Sequence, residues 1–144
     1  MIRILIADDH DVVREGIKEI LEQSQGLVVV GEASTAGQLL ELAKTSTFDV
    51  IILDLSLPDA PGMQVLTRLR RANARVVVYS TYSEEQYGAR AIRAGALGYV
   101  SKDRSPDELI RAVRTVVRGG RFMSESVADQ LLWETDISDR PHEK

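Results

Sequence analysis

Five short apolar runs, each followed by residues with helical spacing, constrain the fold of this chain more than any other feature. The runs are Ile2 to Ala7, Leu27 to Gly31, Val50 to Leu53, Val76 to Tyr79 and Leu97 to Val100. They are short and rich in β-branched side chains, which favours strands over buried helix. Between them apolar residues recur three and four apart. Val12, Val13, Gly16, Ile17, Ile20 and Leu21 mark a first helix; Leu39, Leu40 and Ala43 mark a second. Val65, Leu66 and Leu69, then Ala91, Ile92 and Gly95, mark two more. Leu109, Ile110, Ala112, Val113, Val116 and Val117 mark a fifth, opened by Ser105 as N-cap before Pro106 and stopped by Gly119-Gly120. Five βα units predict an α/β, doubly wound parallel sheet with helices on both faces. In such sheets the functional crevice lies at the carboxyl ends of the strands.

Those ends carry acid. Asp8 and Asp9 close the first run and Asp54 closes the third. Gathering like charges at one rim costs free energy unless a cation or a proton neutralises them. Neighbouring strands lie about 4.8 Å apart, so one divalent ion could bridge Asp9 and Asp54 if the first and third strands adjoin. Mg²⁺ (or Mn²⁺) takes oxygen ligands in octahedral geometry and keeps several waters. Asp9 and Asp54 would supply carboxylates, Asp8 would hold a coordinated water, and a peptide carbonyl after Asp54 would be another ligand. The fourth run ends in Ser80-Thr81 and the fifth in Ser101-Lys102. A hydroxyl and an ammonium thus join the carboxylates, and these are the groups phosphoryl transfer needs, with Asp54 as acceptor of an acyl phosphate.

Composition narrows the class. The 144 residues suit one domain, and the net charge of −4 gives no electrostatic case for nucleic-acid binding by the chain as a whole. There is no cysteine, so disulfides, thiolate metal sites and a cysteine nucleophile are excluded. No leader pattern and no membrane-length apolar run occurs, and a cytoplasmic protein without membrane attachment is expected. In the tail, Ser124 to Glu134 predicts a short helix with Val127, Ala128, Leu131 and Leu132 on one side and Trp133 as an apolar anchor. Thr135 to Lys144, with Pro141, is expected to be linker. His10 reads as a solvated residue at a helix start. Arg111, Arg114 and Arg118 fall near one side of the fifth helix, as a solvated face or a contact surface.

The chain resembles the receiver domain of a two-component response regulator. The resemblance rests on Asp8-Asp9, on Asp54 followed by Leu57-Pro58 and Gly62, on Ser80, and on Gly98-Tyr99-Val100-Ser101-Lys102. Ala7-Asp8-Asp9-His10, Ser80, Lys102-Asp103 and Gly119-Gly120 are most similar to the NarL/FixJ subfamily, whose members carry a LuxR-type helix-turn-helix output. The resemblance implies a flavodoxin-like five-stranded sheet of order 2-1-3-4-5. It divides the chain into a receiver over residues 1–121 and a short helix and linker over 122–144, leading toward an output domain that this sequence does not contain. It implies Asp54 as the phosphorylation site and Asp8, Asp9, Asp54 and the Ser56 main-chain carbonyl as the metal set. Lys102 would pair with the phosphate, and Ser80 and Tyr99 would be the switch residues. The implied partners are a sensor histidine kinase, a second copy in a homodimer, and promoter DNA through the output domain alone. Such a chain is not an enzyme in the ordinary sense, although it promotes its own phosphorylation and dephosphorylation. Thr81 stands where receivers usually have a smaller residue and would narrow access to the phosphoryl group.

Two alternatives remain at the level of sequence. Asp9-His10-Asp11-Val12-Val13 fits the nucleophile motif of haloacid-dehalogenase-like phosphohydrolases, with Asp9 as nucleophile, but then no acidic pair follows Lys102 and Asp54 has no role. A stand-alone receiver without DNA-binding output is the other. Neither a P-loop nor a dinucleotide-binding glycine fingerprint occurs.

Overall fold

The computed structural model describes the backbone of residues 1–139 and the side chains of residues 1–133. Its elements are β1 (Ile2–Ala7), α1 (Asp11–Gln23), β2 (Leu27–Ala33), α2 (Ala36–Thr45), β3 (Val50–Leu53) and α3 (Gly62–Arg71). They continue as β4 (Val76–Ser80), α4 (Glu84–Ala94), β5 (Gly98–Ser101), α5 (Pro106–Val117) and α6 (Glu125–Asp139). The five strands form one parallel sheet in the order β2-β1-β3-β4-β5, as the resemblance implied.

Each central strand is buried on both faces, which is why the runs read as continuously apolar rather than alternating. Leu5, Ala7, Ile51, Leu53 and Val78 point to the side covered by α2, α3 and α4, where Leu39, Leu66, Leu69 and Ile92 meet them. Ile4, Ile6, Val50, Ile52 and Val77 point to the other side, against Ile17 and Leu21 of α1 and Leu109, Val113 and Val116 of α5. Burying each such side chain contributes about 1.5–3 kcal/mol before entropy is subtracted. The register matters most at the strand ends. Ala7 pairs with Leu53, the Asp54 amide donates to the Ala7 carbonyl at 2.9 Å, and the Asp8 amide donates to the Ala33 carbonyl at 3.0 Å. Pairing therefore holds one residue beyond the last apolar side chain, and it delivers Asp8 and Asp54 to adjacent positions.

Several boundaries and faces differ from expectation. β2 runs on to Ala33 because it is an edge strand, where charged Glu32 is tolerated. β4 runs on to Ser80, and β5 covers Gly98–Ser101 rather than starting at Leu97. Val12 and Val13 lie on the exposed side of α1, which buries only Ile17 and Leu21. Ser105 occupies the N-cap of α5, but its hydroxyl makes no capping bond. The three arginines of α5 do not act together: the Arg114 guanidinium donates to the Gln25 carbonyl at 2.7 Å, and that of Arg111 lies 5.5 Å from the Phe122 ring centre.

The tail helix is longer than predicted and continues to Asp139, through part of the segment expected to be linker. Residues 140–144, with Pro141, lie outside the described residues. α6 docks on α4. Val127 is fully buried, and Gly88 lets it approach: a β-carbon at Gly88 would stand 2.8 Å from Val127 Cγ2. The Ser124 amide donates to Glu84 at 2.7 Å. Trp133, expected as the anchor, is 58% exposed; Val127 and the half-buried Leu131 fill that role.

Gly62, the first residue of α3, has a similar packing reason to be glycine. A β-carbon there would fall 2.6 Å from the Leu55 carbonyl oxygen and 2.8 Å from Leu55 Cα. Backbone cannot yield as a flexible side chain can. Gly62→Ala is therefore expected to destabilise the domain by about 1–3 kcal/mol, read as a lower urea midpoint with an unchanged m-value.

Candidate functional site

Asp8, Asp54 and Lys102 meet at the carboxyl rim of β1, β3 and β5, brought from positions far apart in the chain by the strand order. Lys102 Nζ lies 2.6 Å from Asp8 Oδ2 and 2.9 Å from Asp54 Oδ2. Both acids are almost wholly buried, and the lysine side chain is 10% exposed. Burial alone would pull the Lys102 pKa down, but its hydrogen bonds to Asp8 and Asp54 outweigh it and raise the value. Burial likewise pushes Asp8 up, and the bonds from Lys102 and from the His10 amide and ring outweigh it, so its pKa is lowered. Asp54 Oδ1 accepts from the Ser56 amide at 3.0 Å and the Ser56 hydroxyl at 2.9 Å. The Asp54 carboxylate is thus fixed at both oxygens, one by an ammonium and one by its own turn.

His10 is solvated and stands at the N-cap of α1, as expected, and it also belongs to this site. Its ring is more than half exposed, yet Nδ1 lies 2.9 Å from Asp8 Oδ1, 3.1 Å from Asp9 Oδ1 and 3.9 Å from Asp54 Oδ2. The Asp8 hydrogen bond, with the charges of Asp9 and Asp8, raises the His10 pKa. A single Nδ1–H serves one acceptor well. It goes to Asp8, and Asp9 Oδ1 is left as a buried carboxylate oxygen without a hydrogen bond. An orphaned anionic oxygen beside two other carboxylates is the donor arrangement a hard cation satisfies. Ligand atoms of Asp8, Asp9, His10 and Asp54 lie within 4.8 Å of one another, so the residues present fit a divalent ion.

Asp59 is a further residue that sequence reasoning missed. Its two oxygens accept from the Ala36 amide at 2.7 Å and the Gly37 amide at 3.0 Å, so it caps α2 from the β3–α3 loop. These two bonds lower its pKa. The contact ties down the loop that carries Ser56. Twenty-odd residues separate the partners (by subtraction, 59 − 36 = 23), and no local pattern signals it.

Ser80 and Tyr99 lie next to the rim but are turned toward α4. Ser80 is fully buried and its hydroxyl oxygen accepts from the Tyr82 amide at 3.1 Å. Tyr99 is buried too, and its hydroxyl donates to the Tyr82 carbonyl at 2.7 Å. Burial pushes the Tyr99 phenol up to about 12, so it stays a donor at any ordinary pH. Tyr82 in turn stacks on Tyr87 of α4, with ring centres 4.9 Å apart. Thr81, between them in sequence, is exposed.

The orphaned oxygen and the crowded acids give a stability consequence. In the absence of divalent cations, Asp9→Asn is expected to stabilise the protein by on the order of 1 kcal/mol, because it removes a like charge that only the exposed His10 ring offsets. Thermal unfolding in EDTA at low ionic strength measures it, and a lower midpoint in the variant would contradict the electrostatic reading.

Comparison with known proteins agrees with this geometry. Residues 4–114 match the response regulator receiver domain family. The chain is 35% identical over 133 residues to the response regulator UvrY of Escherichia coli K12, covering 91% of this chain and 61% of that protein. It is 37% identical to the response regulator GacA of Pseudomonas aeruginosa PAO1, covering 91% of this chain and 62% of that protein. The chain thus spans about three fifths of the length of these relatives. Among solved structures, a LuxR-family two-component response regulator from Aurantimonas sp. SI85-9A1 superposes with a TM-score of 0.83 at 34% identity, over 93% of this chain and 97% of that one. A family match over residues 4–114, most of the chain and nearly all of the sheet, makes this chain a receiver domain of the two-component response regulators.

Proposed function

We propose that the domain is a phosphorylation-dependent switch in which Asp54 is the phospho-acceptor. The observation that carries this is the Asp54 carboxylate at the end of β3, gripped at 2.9 Å by Lys102 and flanked by an acid cluster with an orphaned oxygen. An Asp54 oxygen attacks the phosphorus of a phosphohistidine on a sensor kinase. The P–N bond breaks, the imidazole leaves as the neutral base after taking a proton, and an acyl phosphate remains on Asp54. Asp8, Asp9, Asp54 and the Ser56 carbonyl would hold Mg²⁺ or Mn²⁺, which supplies charge neutralisation for the incoming phosphoryl oxygens. Lys102 then pairs with one phosphoryl oxygen as a point charge. The domain promotes its own phosphorylation and dephosphorylation in this way without turning over a substrate.

The response passes through Ser80. A new phosphoryl oxygen competes for its hydroxyl, and turning toward it gives up the Tyr82 amide. That loosens Tyr82, Tyr99 and the start of α4 together, a local charge change biasing a two-state element. In the longer protein this would alter self-association and control a DNA-binding output domain that acts on promoters, in the cytoplasm and without membrane attachment. No helix among the described residues is long and apolar enough to cross a membrane. Residues 1–121 are the receiver in this reading, and residues 122–144 lead toward the output domain. The phosphohydrolase alternative has nothing in its favour, since it leaves idle the one carboxylate that both Lys102 and Ser56 hold.

Incubation with acetyl phosphate and Mg²⁺ should add one phosphoryl group to the wild-type chain by intact mass, and EDTA should abolish the gain. Asp54→Asn should show none; a modified Asp54→Asn protein would refute the assignment. Thr81→Ala, which trims an exposed side chain beside Ser80, should admit water to the phosphoryl group. A several-fold shorter phosphoprotein half-life is expected, and an unchanged or longer one would show that Thr81 does not gate access.

A further inference from the structure

At the amino end of the sheet, opposite Asp54, lies a second recess with the reverse charge. It is a cavity of about 570 Å³ whose lining includes Arg70, Arg75, Arg93 and Arg121 and, among the described residues, no acidic side chain. These arginines come from the end of α3, the lead into β4, the last turn of α4 and the segment after α5. Its apolar floor includes Ile92 and Leu97, and Leu131 of α6 closes one side. Among the described residues, Arg70, Arg75 and Arg121 form no ion pair with an acid, whereas Arg93 has further interactions of its own. Arg70 donates to the Arg93 carbonyl at 3.3 Å, in the last turn of α4.

Cations in the last turn of a helix offset the helix dipole, and this accounts for Arg70 and Arg93. It does not account for Arg75, which precedes a strand, or Arg121, which lies beyond the Gly119-Gly120 stop. In a chain of net charge −4, the concentration of cations around one concave site is a focused positive field.

We propose that this recess binds a phosphorylated small molecule with an apolar body, of the nucleoside polyphosphate class. Guanidinium forks match phosphate oxygens bidentately. The volume lies in the range of small-molecule sites, and an apolar floor beneath a charged rim is the usual division of labour in them. The recess is concave and shut on one side by α6, which suits a compact ligand better than the backbone of a duplex. The site is independent of the Asp54 reading and stands or falls without it.

Isothermal titration of the full chain in EDTA tests the proposal, with ATP, inorganic tripolyphosphate, adenosine and a short DNA duplex as titrants. Saturable one-to-one binding of ATP is expected, weaker binding of tripolyphosphate, and none of adenosine. Replacing together the two arginines that no helix end accounts for (Arg75→Ala with Arg121→Ala) should weaken ATP at least about tenfold. Arg118→Ala, exposed and outside the cavity, should leave it unchanged, with circular dichroism confirming that both variants fold. No heat with ATP, or equal affinity in the double variant, overturns the site. Tripolyphosphate binding as tightly as ATP overturns the apolar component. Tighter binding of the duplex, lost in the same double variant, overturns it in favour of a nucleic-acid surface.

Discussion

One ammonium group among buried carboxylates organises this molecule. Lys102, just past the end of β5, reaches Asp8 at the end of β1 and Asp54 at the end of β3, and among the described residues no other side chain ion-pairs with both from β5. The cluster is under-neutralised even so. Two buried acids, a third beside them and one lysine leave net negative charge, and the partly exposed His10 ring leans in to relieve it. Sites of this kind trade stability for chemistry. The apolar sheet below holds the carboxylates in a place they would not choose, and in the proposed function the residual charge would become affinity for a cation and then for phosphoryl oxygens.

The same rigidity gives the site a route outward. Ser80 and Tyr99 sit on adjacent strands, and both end on the backbone of Tyr82, one at its amide and one at its carbonyl. A change in either is felt at the start of α4. From there α6 is one contact away, because the Glu84 side chain holds the Ser124 amide and Gly88 receives Val127. The tail helix is therefore docked on α4, the helix that follows Tyr82, through packed groups.

Much of this was legible in the sequence, for physical reasons that also explain the exceptions. Central strands buried on both faces show as unbroken apolar runs, so β1 and β3 with their terminal acids, and most of β4, are legible. β2 was cut short because an edge strand carries Glu32, which pairs with Arg14 and Lys18 on its exposed side. Val12 and Val13 misled because apolar character does not by itself say which side of a helix is buried. Gly62 could be matched by resemblance, but its reason, the Leu55 backbone against its α-carbon, exists only in three dimensions. The role of Asp59 was out of reach for the same reason. His10 carried a signal, its place beside two acids, and the local turn in which Asp8 Oδ1 meets both its amide and its ring brings it over them.

The central claim is that the rim cluster takes up a phosphoryl group and passes the change to Ser80. A crystal structure of the domain with Mg²⁺ and beryllofluoride tests it most directly. The account predicts the fluoride complex on Asp54, Lys102 Nζ and the Ser80 hydroxyl both within hydrogen-bond distance of fluorine, and the bond from the Tyr82 amide to Ser80 broken. A complex seated elsewhere, or one on Asp54 with Ser80 still bound to Tyr82, would contradict it.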